Sequence, residues 1–191
     1  TAEDMGLTTL KDRSRFGLSL VLGGGEVKLL EMVSAFGIFA TEGVKHQPAV
    51  ILRIEDSKGK VLEEYKDEPV QVLDSEVARL ITNILSDNVA RTPVFGANSA
   101  LFFPGRPVAA KTGTTNEFRD GWTIGYTPSL VAGLWAGNND NTSMKQEPGS
   151  YVAAPIWHAF MEKSFEKLNL PVETFTPPEK KIVTKPILNG E

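Results

Sequence analysis

Val108-Ala109-Ala110-Lys111-Thr112-Gly113-Thr114-Thr115-Asn116 is the stretch that decides the fold. Val108 to Ala110 is a small apolar run that suits a buried strand, and Lys111 arrives at its end with a glycine and several threonines. One fixed cation, a group of hydroxyls and a closely approachable backbone therefore meet at a strand end, which is equipment for holding an anion. Two further strand-like runs follow, Gly121 to Tyr126 and Leu130 to Gly137, joined by the turn formers Asn116 to Asp120 and Thr127-Pro128-Ser129. The expected product is an antiparallel meander that opens on the lysine-threonine segment.

Upstream, Asp74 is placed to cap a helix running through Ser86, with Val77, Leu80, Ile81, Ile84 and Leu85 as its apolar stripe. The prolines and glycines between Asn88 and Pro107 predict a long irregular loop in which Phe95, Phe102 and Phe103 are packing groups. Val50 to Ile54 and Val61 to Tyr65 flank the polar link Asp56 to Lys60 and read as a hairpin. From Glu26 to Thr41, Leu29, Leu30, Val33, Phe36, Phe39 and Ala40 recur at helical spacing, with Gly43 as a stop, so a core helix is expected. Thr1 to Leu10 reads as the tail of a helix ending near Gly6, as though the chain began inside a fold. Downstream, Pro155 suits the first turn of a helix that turns Ile156, Trp157, Phe160, Phe165 and Leu168 inward. From Pro171 the composition shifts to Pro, Lys, Glu and Thr, so residues 1–170 form the expected domain and 171–191 a linker or tail.

With 191 residues, 41% hydrophobic and 23% charged, the chain is long and apolar enough for one globular domain with its own core. A net charge of -4 without clusters of Lys and Arg argues against a nucleic-acid partner. The absence of cysteine removes disulfides, zinc knuckles and thiol catalysis, and suits an extracytoplasmic domain. His46 and His158 stand too far apart in sequence to suggest a histidine-rich metal site, and surface or packing roles are expected for both. No run approaches the roughly 20 apolar residues of a membrane-spanning helix, so the chain as given reads as soluble.

Three patterns compete for the chemistry. Gly105 to Thr112 has the spacing of a phosphate-binding loop, but Ala110 stands where the second glycine belongs and an apolar strand-like run precedes Lys111. Ser57-x-x-Lys60 and Ser86-Asp87-Asn88 supply the letters of a serine acyl-enzyme. Their settings disagree with that chemistry, because Ser57 and Lys60 fall in a charged hairpin tip with Gly59 between them and Ser86 ends a helix. Lys111-Thr112-Gly113-Thr114-Thr115 is the pattern whose surroundings agree with it.

Gly105 to Asn116, together with Arg119-Asp120-Gly121-Trp122-Thr123-Ile124-Gly125-Tyr126-Thr127-Pro128, strongly resembles the transpeptidase domain of class A penicillin-binding proteins. The resemblance continues through Leu134 to Asp140 and Ala153-Ala154-Pro155-Ile156-Trp157, and covers most of residues 1–170. It implies an α/β fold of the penicillin-binding and serine β-lactamase kind, an antiparallel sheet packed against helices. The family's Ser-x-x-Lys and Ser-x-Asn boxes find no match in context, so the resemblance implies that they would precede Thr1 and that this is the C-terminal portion of the domain.

For the parent protein the resemblance implies acyl transfer without a cofactor or metal. A serine attacks a D-Ala carbonyl of a peptidoglycan stem peptide, and a second stem peptide resolves the acyl-enzyme as a cross-link; β-lactams acylate the same serine. The parent would lie outside the cytoplasm, anchored in the cytoplasmic membrane, with a glycosyltransferase domain upstream. Lys111, Thr112, Gly113, Thr114 and Thr115 are the implied substrate-binding set. Lys111 would supply positive potential, the Thr112 and Thr114 hydroxyls would donate to the substrate carboxylate, and the Thr114 N–H would complete an oxyanion hole. A serine β-lactamase or D,D-carboxypeptidase of the same fold, and a noncatalytic peptidoglycan-binding module, are the alternatives. The isolated chain is expected to lack activity and, having lost packing partners, to self-associate or be only marginally stable.

Overall fold

A computed structural model describes residues 1–144 and 148–180. Its elements are α1 (Leu29–Ala40), β1 (Val44–Lys45), β2 (Arg53–Glu55), β3 (Val61–Glu64), β4 (Val70–Gln71), α2 (Ser75–Ser86) and α3 (Asn88–Phe95). They continue with β5 (Ala109–Thr114), β6 (Asp120–Thr127), β7 (Leu130–Gly137), α4 (Gly149–Val152) and α5 (Ala154–Lys167). The order β5-β6-β7 is the expected antiparallel meander, with an unbroken register from Ala109↔Tyr126 to Thr114↔Gly121 and from Asp120↔Gly137 to Thr127↔Leu130. The fold is thus an α/β arrangement of an antiparallel sheet packed against helices. One difference matters: Lys111 to Thr114 lie within β5 rather than beyond it, because β6 offers a partner to each of them.

Pleating sends alternate residues to opposite faces. Gly121, Thr123 and Gly125 of β6 face α4 and α5. A Cβ at Gly125 would stand 2.5 Å from Trp157 Cζ2 and 2.6 Å from Ala109 O, so the indole of α5 lies directly on the strand. Trp157 Nε1 donates to Ala132 O at 3.0 Å, and Phe103, edge-on to both Trp157 and Phe165, closes this core. The inward row of α5 is Ala154, Trp157 and Met161, with Phe165 partly buried; Ile156, Phe160 and Leu168 are exposed, contrary to expectation. Rows 156/160 and 157/161 are about 100° apart around a helix, and the sheet takes the row whose tryptophan fits over Gly125.

The other face carries Trp122, Ile124 and Tyr126 and is covered by α1. A Cβ at Gly133 would stand 2.4 Å from Val33 Cγ2, while Phe36 and Phe39 pack on the Tyr126 ring. Ala35 and Ile38 of the same helix are buried against Met5, Leu7 and Leu10. The helix begins at Leu29 with Lys28 as its N-cap residue, so Glu26 is outside it. Glu31 in its first turn accepts hydrogen bonds from Thr8 Oγ1 and N–H and from Lys28, which hold its carboxyl down at about 2. Residues 1–6 form a turn rather than a helix tail, ending at Gly6 with φ +101°.

Asp74 caps α2 as expected, accepting from Glu76 N–H at 2.9 Å and Val77 N–H at 3.2 Å. Its buried residues are Ala78 and Thr82, whereas Val77, Leu80 and Ile84 are exposed. The small Ala78 and the buried 2.8 Å bond between Thr82 Oγ1 and Tyr126 Oη decide which side meets the sheet, and burial pushes the Tyr126 phenol up to about 12. The expected loop after Ser86 instead starts with α3. Asp87 ends α2 and caps α3 through Ala90 N–H, and Pro93 is accommodated inside the helix before Gly96 stops it with φ +82°.

The β2–β3 hairpin forms as expected, and every residue of both strands is exposed. Residues 171–180 contain no helix or strand. Arg106 donates to Leu170 O and Pro171 O, Ser129 Oγ to Glu173, and Phe175 stands edge-on to Tyr126. The remainder of the expected tail, 181–191, lies outside the described residues. Among the described residues no helix is long and apolar enough to cross a membrane.

Candidate active-site edge

β5 is an outer strand of its sheet, and the candidate residues occupy its second half. Thr115 N–H donates to Asp120 O at 3.1 Å, just past the last paired residues. In an antiparallel ladder the backbone groups alternate between the partner and the free side. The N–H of Thr114 and both backbone groups of Thr112 therefore point to the open edge. Lys111 is exposed, and its Nζ donates to the outward Thr112 carbonyl at 2.5 Å, which places the ammonium at that edge. An anionic peptide adding as an extra strand would meet backbone donors and a cation together.

Side chains divide between the faces. Lys111 and Gly113 share the face of their partners Ile124 and Trp122, whereas Thr112 and Thr114 share that of Thr123 and Gly121. Thr114 Oγ1 accepts the Gly149 N–H at 2.8 Å, leaving its own proton available. Gly149 sits so close that a Cβ there would be 2.4 Å from Gly113 O and 3.1 Å from Gly121 Cα. The expected Thr115 contact with substrate meets a competing arrangement, since its hydroxyl donates to Asp120 Oδ2 and accepts Asp120 N–H, both at 2.9 Å.

The structure places one of the other serine patterns at a hairpin tip and the other at the junction of α2 and α3. Asp56 organises the hairpin tip, accepting from Lys58 N–H and Lys60 N–H, and both Ser57 and Lys60 are exposed there. Among the described residues no hydrogen bond joins Ser57 to Lys60. Ser86 donates to Asn83 O, and Asn88 Nδ2 to Ala97 O, so this triplet joins two helices. His46 meets Asp67, and His158 stacks on Phe103 while its Nδ1 lies 3.0 Å from Ala100 O. Sequence reasoning missed Gly149 and the Asp120–Trp135 contact, in which Trp135 Nε1 donates to Asp120 Oδ1 at 2.7 Å. The Pro148-Gly149 pair signals a turn, but nothing local says that the turn closes on Thr114.

The family model described as "Penicillin binding protein transpeptidase domain" matches residues 11–162. Penicillin-binding protein 1A of Aquifex aeolicus is 36% identical over 166 residues, covering 86% of this chain and 22% of that protein. The chain thus spans about a fifth of the length of such relatives. Among solved structures, the penicillin-binding protein PonA1 from Mycobacterium tuberculosis superposes with a TM-score of 0.80 at 26% identity, over 93% of this chain and 51% of that one. The same protein in complex with penicillin V gives 0.79, with the same identity and coverage. The strand that presents Lys111 to Thr114, the helices on both sheet faces and these matches agree: the chain belongs to the penicillin-binding protein transpeptidase domain family.

Proposed function

We propose that this chain is the substrate-edge portion of a serine D,D-transpeptidase, with the nucleophile supplied by protein outside these residues. The observation that carries the reading is the β5 edge, where the Thr114 N–H faces outward and the Lys111 ammonium lies against the outward Thr112 carbonyl. A peptidoglycan stem peptide lies along that edge. The serine oxygen bonds to the penultimate D-Ala carbonyl carbon, and the negative charge that develops on the carbonyl oxygen is held by Thr114 N–H and the serine's own N–H. The C–N bond then breaks and D-Ala leaves with the proton taken from the serine. An amine of a second stem peptide attacks the ester, forms the cross-link and returns a proton to the serine. A β-lactam follows the first half only, its ring C–N bond breaking while the acyl group stays attached.

Lys111 acts through its charge, drawing in the donor carboxylate and lowering the cost of the developing anion. The Thr114 hydroxyl, held by Gly149 from behind, donates to the same carboxylate, and Thr112 offers its hydroxyl and outward N–H beside it. Thr115 is better used in holding the strand end than in touching substrate. The exposed rows Val77/Leu80/Ile84 and Ile156/Phe160 fit packing by the rest of the transpeptidase domain, consistent with this chain covering 51% of the PonA1 structure. The parent works on the outer side of the cytoplasmic membrane, where peptidoglycan is.

The test is acylation of the full-length protein by a fluorescent penicillin, followed by intact-mass spectrometry. Lys111→Ala is expected to slow acylation by about 10²–10³-fold, the scale of losing one preorganised electrostatic group, with little change in melting temperature. The 191-residue chain alone is expected to form no adduct, because an acyl-enzyme needs a serine with a base in reach. Normal acylation of a folded Lys111→Ala protein overturns the assignment. Tight penicillin binding without an adduct in the unaltered protein would identify a noncatalytic binding module instead.

A further inference from the structure

Asp120 opens β6, and its carboxylate is shared between two other strands. Oδ1 accepts from Trp135 Nε1 of β7 at 2.7 Å, and Oδ2 accepts from Thr115 Oγ1, at the end of β5, at 2.9 Å. The Asp120 N–H returns a hydrogen bond to Thr115 Oγ1, and Thr115 N–H donates to Asp120 O. Within the turn closed by these bonds, Glu117 and Phe118 both hold left-handed backbone, with φ of 59° and 55°. Residues other than glycine avoid that conformation, so the turn is held by bonds within it, from Phe118 N–H to Thr115 O and from Arg119 to Glu117, and by the groups that pin its ends. The two that end on the carboxylate, from Thr115 Oγ1 and Trp135 Nε1, are charge-assisted and stronger than bonds between neutral groups.

Thr115 immediately follows Thr114, whose outward N–H is the oxyanion donor in the reading above. We propose that Asp120, acting through Thr115 and braced by Trp135, is a positioning residue that fixes the Thr114 N–H for acyl transfer; the proposal rests on that reading of the β5 edge. The Trp135 bond is what distinguishes this from simple turn closure. It ties the end of β5 to the far strand of the sheet, so the donor's position is set by three strands rather than by a strained loop. A donor displaced by a fraction of an ångström still lets a penicillin bind but meets the developing oxyanion badly, so the effect belongs to the chemical step.

The experiment is stopped-flow acylation of the full-length protein with a fluorescent penicillin, separating the noncovalent Kd from the acylation rate constant. Asp120→Ala and Thr115→Val are expected to lower the rate constant about 10–100-fold while Kd stays within about twofold. Thr115→Ser, which keeps the hydroxyl, recovers most of the loss. In Asp120→Ala the Trp135 indole N–H resonance shifts upfield as its acceptor is removed. An unchanged rate constant in a folded Asp120→Ala protein overturns the proposal, as does a loss carried equally by Kd or a Thr115→Ser protein as slow as Thr115→Val. If Asp120→Ala does not fold, the Thr115 pair decides alone. Acylation that Lys111→Ala abolishes but Thr115→Val leaves untouched keeps the reading of the edge and removes only the role of Asp120. A full-length protein that is never acylated removes both.

Discussion

At the Ala109 end of the β5–β6 pair, Gly125 lies beneath Trp157 with no room for a methyl group; at the Thr114 end, Gly113 has only Trp122 Cβ near the position a Cβ would take, at 3.4 Å. Neither residue needs glycine for its backbone angles, since neither has a positive φ. Gly125 is required by the protein's own packing, where the indole fills the space a side chain would occupy. Gly113 leaves space that nothing among the described residues uses, beside an outer strand edge and an exposed lysine. One strand pair thus has a sealed end and, at its other end, one open face, the one Gly113 shares with Lys111 and Trp122, while α4 packs on the opposite face at Gly121. The contrast supports the proposal that the open face at this end is the working one, independently of the motif.

Substitution at the sealed end should have the largest effect on stability. Gly125→Ala would put its methyl 2.5 Å from Trp157 Cζ2, 2.6 Å from Ala109 O and 3.0 Å from Ala110 Cβ, and the backbone oxygen cannot swing away as a flexible side chain could. Overpacking of this kind costs about 1–3 kcal/mol, read as a lower midpoint in urea denaturation. An unchanged midpoint would mean that α5 can lift from the sheet, and the sealed end would not be sealed.

At the open end the signs separate. Gly113→Ala meets no obstacle closer than 3.4 Å and restricts the unfolded chain, so the fold should gain about 0.5 kcal/mol. Acylation of the full-length protein by a penicillin should nevertheless fall, by about tenfold, if the proposed ligand on the β5 edge also reaches over the face that Gly113 shares with Lys111. A variant that is both more stable and equally reactive would show that the space at Gly113 is not used. The contrast between the two glycines would then rest on packing alone.

How much of this was legible in the sequence depends on whether the signal was local. Turn chemistry around Thr127-Pro128-Ser129 gave β7 to the residue, and Asp74 marked the start of α2, because each depends on a few adjacent residues. The place of the lysine-threonine segment at the opening of the meander was legible for the same reason. The inward rows of α2 and α5 were not. Periodicity finds apolar stripes, but the sheet chose the row with Ala78 and Thr82 on one helix and the row with Trp157 on the other, according to what fits against Tyr126 and Gly125. Pro93 hid α3, since a proline inside a helix reads as a break until Asp87 is seen capping the turn before it. At the site, Gly149 behind Thr114 and Trp135 behind Asp120 are contacts between segments distant in sequence, and no spacing rule announces them.

The smallest expected effect lies between the two ends. Thr123 stands midway along β6, opposite Thr112 of the motif and on the same sheet face as Gly125 and Gly121. It is fully buried, and its Oγ1 has no hydrogen-bond partner among the described residues. A buried hydroxyl without a protein partner gains little from its polarity, so the methyl of valine, close to it in shape, should be the better occupant. Thr123→Val is expected to raise stability by about 0.5–1 kcal/mol. The natural control is Thr82→Val, where the hydroxyl is paired with Tyr126 at 2.8 Å and its removal should destabilise by about 1–2 kcal/mol, because the phenol is left alone in the core. Urea midpoints measured side by side give the comparison directly, since both positions are buried and both changes replace a hydroxyl with a methyl group. Opposite signs confirm that the middle of the sheet holds one satisfied and one unsatisfied threonine. A loss at Thr123 as large as that at Thr82 would mean that its hydroxyl is bonded after all, and the centre of β6 would then belong to the polar network of the open end rather than to the packed end.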